Sequence, residues 1–358
     1  MKTTWFKDID KKYRKLILVG DVGGTNTNLG VAGDLNGKIE LILEVVFESA
    51  SVTHFTTCVK KTMEVAREKY PNVSFDLCCI SGAGPVKDNF CKMTNQDWVI
   101  DGNEIQQTLG VPTLIINDFS AISFGLPLLD VNDPKQIEIL RRPDGTTPET
   151  QGDLRAVVGP GTGLGVGFLA KMGDRWRAFP SEGGHMDFAD FDEDTKGFKA
   201  WIMESIDLVP EYEMCISGMG IKNLFYYFLE KGVCDKADPV VVGILREADV
   251  NKPAAISKAA AAGHPGCLRV MTTFVKMFAR LASSISSFLI PRGGFYLAGG
   301  VTSKNLPFFL KDNLFVTTFE QHCNPNILRV LQEIPLYVIK DYSISLYGAA
   351  NAALSLMV

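Results

Sequence analysis

A chain of 358 residues, 46% hydrophobic and 22% charged, can bury a large core and, at roughly 150 residues per domain, suggests two domains. Its net charge of -5 and the absence of a long Lys/Arg run exclude a broad basic footprint, so no nucleic acid and no membrane surface is an expected partner. Eight cysteines without a C-x-x-C pair read as reduced thiols, no apolar run approaches the ~18 residues of a membrane span, and a cytoplasmic location is expected.

From Leu16 the sequence predicts three successive strands, "LILVGDVGG", "NLGVAGD" and "KIELILEVVF", each bounded by Gly, Asn or Asp. A helix follows at "HFTTCVKKTMEVAREKY", then a buried strand at "FDLCCISGAG" and a helix near "GNEIQQTLG". The strand "TLIIND" and a helix at "FSAISFGLPLL" complete a βββαβαβα order, which is an α/β domain. "RRPDGTTPETQGD" reads as a surface loop. After it, "RAVVGPGTGLGVGFLA" repeats the plan of "LILVGDVGGTNTNLGVAG": apolar strand, glycine turn with a Thr, second strand. The remainder is largely helical, with a long run from about Gly266 to Leu289, strands at "GFYLAGG" and "PLYVIK", and a last helix at "SLYGAANAALSL". Residues 1–118 with 343–358 are expected to form a small α/β domain and residues 119–342 a large one.

Glycines at a strand end let backbone N–H groups approach phosphate oxygens closely. The loop "GDVGGTNTN" lacks the Lys of a P-loop, and a strand follows where a P-loop or a dinucleotide fingerprint needs a helix. It is therefore predicted as a β-hairpin. Gly20, Asp21, Val22, Gly23, Gly24, Thr25 and Asn26 offer donors to phosphate, and Asp21 is a candidate for Mg²⁺, directly or through water. "GPGTGLG" supplies a second hairpin with Gly161, Thr162 and Gly163. Two such hairpins in two similar halves are the plan of the two-domain actin-like ATPase fold, ribonuclease H-like in each half, with a ligand cleft between the domains.

In the order and rough spacing of "GDVGGTN", "INDFSA", "GPGTGLG", "SEGGHMDFA", "SGMGIKNLF" and "LAGGV", the chain resembles the bacterial-type glucokinases of the hexokinase superfamily, from about residue 15 onward. The first dozen residues and the loop from Arg141 to Asp153 look like additions to that pattern. No Cys-rich zinc motif or N-terminal helix-turn-helix is present, which disfavours the zinc-bearing branch. The resemblance implies transfer of phosphate from Mg²⁺-ATP to the C6 hydroxyl of D-glucose, feeding glycolysis. Another hexose or an amino sugar, a non-catalytic sensor, and ADP or polyphosphate as donor are the competing readings. A homodimer is one option for its assembly.

On the residues alone, Asp118 at the end of a strand reads first as the N-cap of the following helix. The resemblance makes Asp118 the general base for the sugar hydroxyl and Asn117 a ligand of a neighbouring hydroxyl. Glu182 and His185 flank two glycines in one tight loop and suit several sugar hydroxyls; no third residue of suitable spacing for a metal stands out. By resemblance they bind hydroxyls, with Glu213, four residues before Ser217-Gly218, as the third ligand; Glu211 lies two residues from it. Thr94 and Asn95 are expected to close over the sugar, and Gly218, Gly299 and Gly300 to border the adenosine. His54, His264 and His322 read as structural or exposed.

Overall fold

The computed structural model describes residues 1–9, 12–93, 99–179 and 181–357. These form two compact units, one of residues 1–130, 167–180 and 341–358, the other of residues 131–166 and 181–340.

The first unit is built on β1 (Lys2–Trp5), β2 (Lys15–Val22), β3 (Asn26–Leu35), β4 (Lys38–Glu48) and β5 (Leu77–Gly82). After a separate small sheet of β6 (Val86–Lys87), β7 (Phe90–Lys92) and β8 (Val99–Asp101), β9 (Thr113–Asn117) completes it. The main sheet has the order β1-β4-β3-β2-β5-β9; β2, β3 and β4 run antiparallel, and β2, β5 and β9 are parallel. All six residues of β5 are buried, as a parallel strand covered on both faces must be. The period-two alternation of β2 splits its side chains between two cores. Leu18 and Val22 pack with Phe55, Val59, Met63 and Ala66 of the helix Phe55–Lys69. Ile17 and Val19 pack with Ala121 and Phe124 of the helix Asp118–Gly125 and with Leu346, Ala349 and Ala353 of the last helix, Ile344–Leu356. Small residues let these two helices touch closely: a Cβ on Gly348 would collide with the Ala121 carbonyl, and one on Gly125 with Ile344. That packing carries the first unit past residue 118 to Asp130.

The N-terminal residues that look like an addition in sequence are part of the sheet. β1 pairs antiparallel with the edge strand β4. Beside it, the buried Glu40 carboxylate is paired with Lys7 at 2.7 Å and accepts from the Tyr13 hydroxyl at 2.9 Å, and the Lys7 ammonium holds its carboxyl below the usual range.

The second sheet comprises β10 (Ile137–Ile139), β11 (Leu154–Pro160), β12 (Leu164–Met172), β13 (Arg175–Phe179), β14 (Phe295–Leu297) and β15 (Leu336–Ile339), in the order β10-β15-β14-β11-β12-β13. β11, β14 and β15 are parallel, and β12 and β13 are antiparallel. The order β13-β12-β11-β14-β15 reproduces that of β4-β3-β2-β5-β9, so the internal repeat predicted from the two glycine loops extends to whole sheets. The helix Pro265–Leu289 is the spine of this unit, with Phe274, Phe278 and Leu281 buried along it. Its N-cap is His264, whose Nδ1 accepts from the Cys267 N–H at 3.1 Å, a structural duty in keeping with the sequence reading. Residues 141–153 contain no helix or strand. Among the described residues, no helix is long and apolar enough to cross a membrane.

Candidate active site

In the first unit, β2 and β3 are joined by Gly23, Gly24 and Thr25, a three-residue hairpin tip. The Gly23 N–H donates to the Asn26 carbonyl at 2.9 Å, while Ser49 braces the tip from the end of β4: its N–H donates to the Thr25 carbonyl at 2.9 Å and its hydroxyl to the Gly23 carbonyl at 2.8 Å. Thr25 and Asn26 are exposed. Gly20 and Val22 serve the strand: Val22 is fully buried, and a Cβ on Gly20 would meet the Leu29 and Ile80 side chains.

Asp21 is the penultimate residue of β2, just before the tip, and has both carboxylate oxygens tied. The Ser81 hydroxyl of β5 donates to Oδ1 at 3.0 Å, and the Ser345 hydroxyl of the last helix donates to Oδ2 at 2.8 Å. Burial nevertheless raises its pKa against the pull of these two hydroxyls.

Asp118 opens the helix that follows β9, but it is not the N-cap. Asn117 is: its Oδ1 accepts from the Phe119 and Ser120 N–H groups at 2.9 and 3.3 Å. The Asn117 side chain is thus engaged by the helix, with its amide nitrogen donating to the Gly84 carbonyl at 3.3 Å. The Asp118 carboxylate accepts from the Phe119 N–H at 2.9 Å, and the Asn117 side chain adds a second stabilising hydrogen bond. Its pKa is pushed up to about 6, first by burial and then by the negative charge of Asp21. The first unit therefore gathers the hairpin, Asp21, Asn117 and Asp118. Thr94 and Asn95 lie outside the described residues.

The second unit repeats the hairpin with Gly161, Thr162 and Gly163 between β11 and β12, closed by the Gly161 N–H donating to the Gly163 carbonyl at 2.8 Å. Glu213, from the short helix Tyr212–Cys215, accepts the Leu164 N–H at 2.8 Å, and a Cβ on Gly163 would collide with this carboxylate. The Gly218 N–H, at the start of the helix Gly218–Glu230, donates to the Gly161 carbonyl at 3.0 Å. Gly299 takes a φ of 84° and lies so close to the Pro160 carbonyl that no side chain fits, and Gly300 begins the helix Gly300–Lys304. Gly161, Gly163, Glu213, Gly218 and Gly299 are accordingly assembled around one strand end.

Glu182 precedes a single 3₁₀ turn, Gly183–His185, and its carbonyl accepts the His185 N–H at 3.0 Å. Gly184 must be glycine because a Cβ would collide with the Leu164 carbonyl. His185 is half-exposed and its Nδ1 lies 3.1 Å from Oε2 of Glu211. The Glu211 hydrogen bond raises its pKa, with Glu213 and Glu182 adding to the effect. Glu211 is the residue the sequence reading left without a role. His185, Glu211 and Glu213 bring one ligand atom each within 4.8 Å of one another, a cluster that no spacing in the sequence displays. Sequence spacing hides the pair because 26 residues separate its members; the only sequence signal is the doubled Glu in "EYE".

A family profile described as glucokinase matches residues 18–356. The glucokinase of Nostoc punctiforme is 32% identical over 351 residues, covering 94% of this chain and 98% of its own; that of Yersinia enterocolitica is 31% identical over 333 residues, covering 93% and 94%. Among solved structures, a glucokinase from an Antarctic psychrotroph matches with a TM-score of 0.77 at 24% identity, over 94% of this chain and 98% of its own. A ROK family glucokinase from Streptomyces griseus, solved with glucose and AMPPNP, matches with a TM-score of 0.61 at 19% identity, over 96% and 100%. The structural likenesses establish the two-domain actin-like ATPase fold. With the sequence matches running over almost the whole chain, they show that it belongs to the glucokinase family.

Proposed function

We propose how this glucokinase-family chain carries out ATP-dependent phosphorylation of D-glucose. The observation that carries the reading is Asp118: a carboxylate released from capping by Asn117, with a pKa raised to about 6, close to the value that suits a general base near neutrality. Ionised above that pH, it takes the proton of the C6 hydroxyl as that oxygen bonds to the γ-phosphorus of ATP and the bond to the β-phosphate oxygen breaks, leaving ADP. The glycine hairpins at Gly23–Thr25 and Gly161–Gly163 present backbone N–H groups to the phosphates. Glu182, His185 and Glu213 accept from and donate to the sugar hydroxyls. Gly218, Gly299 and Gly300 border the adenosine.

Asp21 fits a role toward Mg²⁺. Its two hydrogen-bond partners are neutral hydroxyls, which fix the carboxylate without neutralising it, so an ionised Asp21 retains its charge for a cation or the water bound to one. Bound Mg²⁺ supplies charge neutralisation on the phosphate oxygens. A homodimer in the cytoplasm belongs to the same reading, and sedimentation and fractionation test it.

The deciding experiment follows ADP release by a coupled assay with Mg²⁺-ATP and a panel of hexoses and amino sugars, with ADP and polyphosphate as alternative donors. Glucose-dependent ADP release, with C6-phosphorylated product, is expected. Activity with other sugars but not glucose would overturn the substrate, and no sugar-dependent release would overturn the activity.

A further inference from the structure

Beside the sugar-facing groups proposed for the second unit stands a carboxylate to which no role has been given, Glu211, against the His185 ring. His185 and Glu211 are held side by side by a short antiparallel bridge: Asp187 pairs with Glu211, the Tyr212 N–H donates to the Met186 carbonyl at 3.0 Å, and the Phe188 N–H donates to the Pro210 carbonyl at 2.8 Å. Below it, the Phe188 and Tyr212 rings meet edge to face, with centroids 5.6 Å apart. The backbone thus fixes the two Cα positions, and the 3.1 Å contact between Nδ1 and Oε2 fixes the ring. An imidazole whose Nδ1–H is committed to a carboxylate has one tautomer when neutral, with its lone pair on Nε2.

We propose that Glu211 is a positioning residue for sugar recognition, holding Nδ1 of His185 so that Nε2 is the nitrogen offered to a glucose hydroxyl. The inference rests on the reading that His185 contacts the sugar. Glu211 acts through the imidazole and does not itself touch substrate. A ring fixed in orientation and tautomer loses less freedom on binding and favours one hydroxyl arrangement over another. Three carboxylates face the ring, Glu211, Glu213 and Glu182, and each favours the imidazolium; of these only Glu211 is within hydrogen-bonding reach of Nδ1. Removing it should therefore change both the orientation of the ring and the pH at which it titrates.

The test compares Glu211→Ala, Glu211→Gln, His185→Ala and the Glu211→Ala/His185→Ala double variant in the full chain. Because the bridge is made by backbone groups, these side-chain changes leave its hydrogen bonds in place, and circular dichroism with thermal melting checks that each variant folds. Glu211→Ala should raise the glucose KM about 3- to 10-fold, the effect of losing one partly exposed charged hydrogen bond, with the ATP KM unchanged. Glu211→Gln, whose amide oxygen still accepts from Nδ1–H, should recover most of the glucose KM above the His185 titration. In this variant the imidazole inflection, followed by NMR and assigned among the four histidines with His185→Ala, should move to lower pH. In the double variant the Glu211 change should add nothing to the His185 change. Additive effects, or a glucose KM unmoved by Glu211→Ala, would overturn the proposal. If His185→Ala itself leaves the glucose KM unchanged, the sugar role of His185 fails instead, a separate result.

Discussion

The two glycine hairpins share a three-residue tip and a place in the same five-strand order, yet each acquires its carboxylate differently. At the first, the acid belongs to the hairpin strand: Asp21 lies one residue before the buried Val22, and hydroxyls from β5 and from the last helix grip it. At the second, strand β11 ends in Gly159 and Pro160 and carries no acid there; the carboxylate arrives from outside, as Glu213 accepting the Leu164 N–H. The first arrangement concentrates negative charge, so that Asp21 adds to the effect of burial in raising the pKa of Asp118. At the second, one oxygen of the carboxylate goes to the backbone of the turn, and the pairing with His185 falls to Glu211. On the proposed reading, the repeated fold serves proton removal beside phosphate in one half and recognition of hydroxyls in the other.

The sharpest way to break this contrast is Asp118→Asn, which should lower kcat by about 10²- to 10⁴-fold with glucose binding largely kept, measured by steady-state kinetics and by calorimetric titration of glucose. The same change should stabilise the protein. An acid whose folded pKa lies above its unfolded value binds more protons in the native state over the interval between them, so stability falls as pH rises from about 4 to about 6 and the penalty persists above it. Removing it should gain at most about 3 kcal/mol at pH 7, read from urea unfolding; an inactive variant that is also less stable would argue against a strained base. In the wild-type enzyme kcat should drop as pH falls through about 6, and Asp21→Asn, by deleting the neighbouring charge, should move that limb to lower pH.

At the other hairpin, Gly163→Ala should displace Glu213 and strand the Leu164 N–H, costing about 1–3 kcal/mol of stability and raising the glucose KM. Gly161→Ala, with open space beside it, should stay within about 0.5 kcal/mol of wild type in the same unfolding assay. Among the changes that touch a carboxylate, the smallest effect is expected from Ser345→Ala. It frees one oxygen of Asp21 and should raise the Mg²⁺ concentration for half-maximal rate a few-fold, at about 1 kcal/mol of stability. If Ser345→Ala proved as damaging as Asp118→Asn, Asp21 would be more than a metal-side group.

The parts legible in the sequence are those that local pattern determines. Alternation marked β2, β3 and β4, the unbroken apolar run marked β5, and strand-glycine-strand marked both hairpins. β6, β7 and β8 escaped because runs of two or three residues are too short to display a period. β1 escaped because "KTTW" gains its partner only when β4 presents an open edge. The glycines and Asp118 could be named from motifs, but their partners could not. Ser345 reaches Asp21 across 324 positions, and Glu211 reaches His185 across a loop and a helix. Nor could sequence separate Asn117 from Asp118 as the cap, since both residue types favour that position and only the backbone of β9 decides.

The helix Ile344–Leu356 has a consequence in time as well as in space. It fills the core under β2 and supplies the hydroxyl on Asp21, yet it follows the whole second unit in the chain. During synthesis the first strands therefore emerge long before the element that covers them, and the apolar face of Ile17 and Val19 must wait through the synthesis of the whole second unit. Slowing elongation late in the chain should prolong that exposure, and a chain stopped just before Ile344 would present an uncovered sheet in the unit that holds the proposed base.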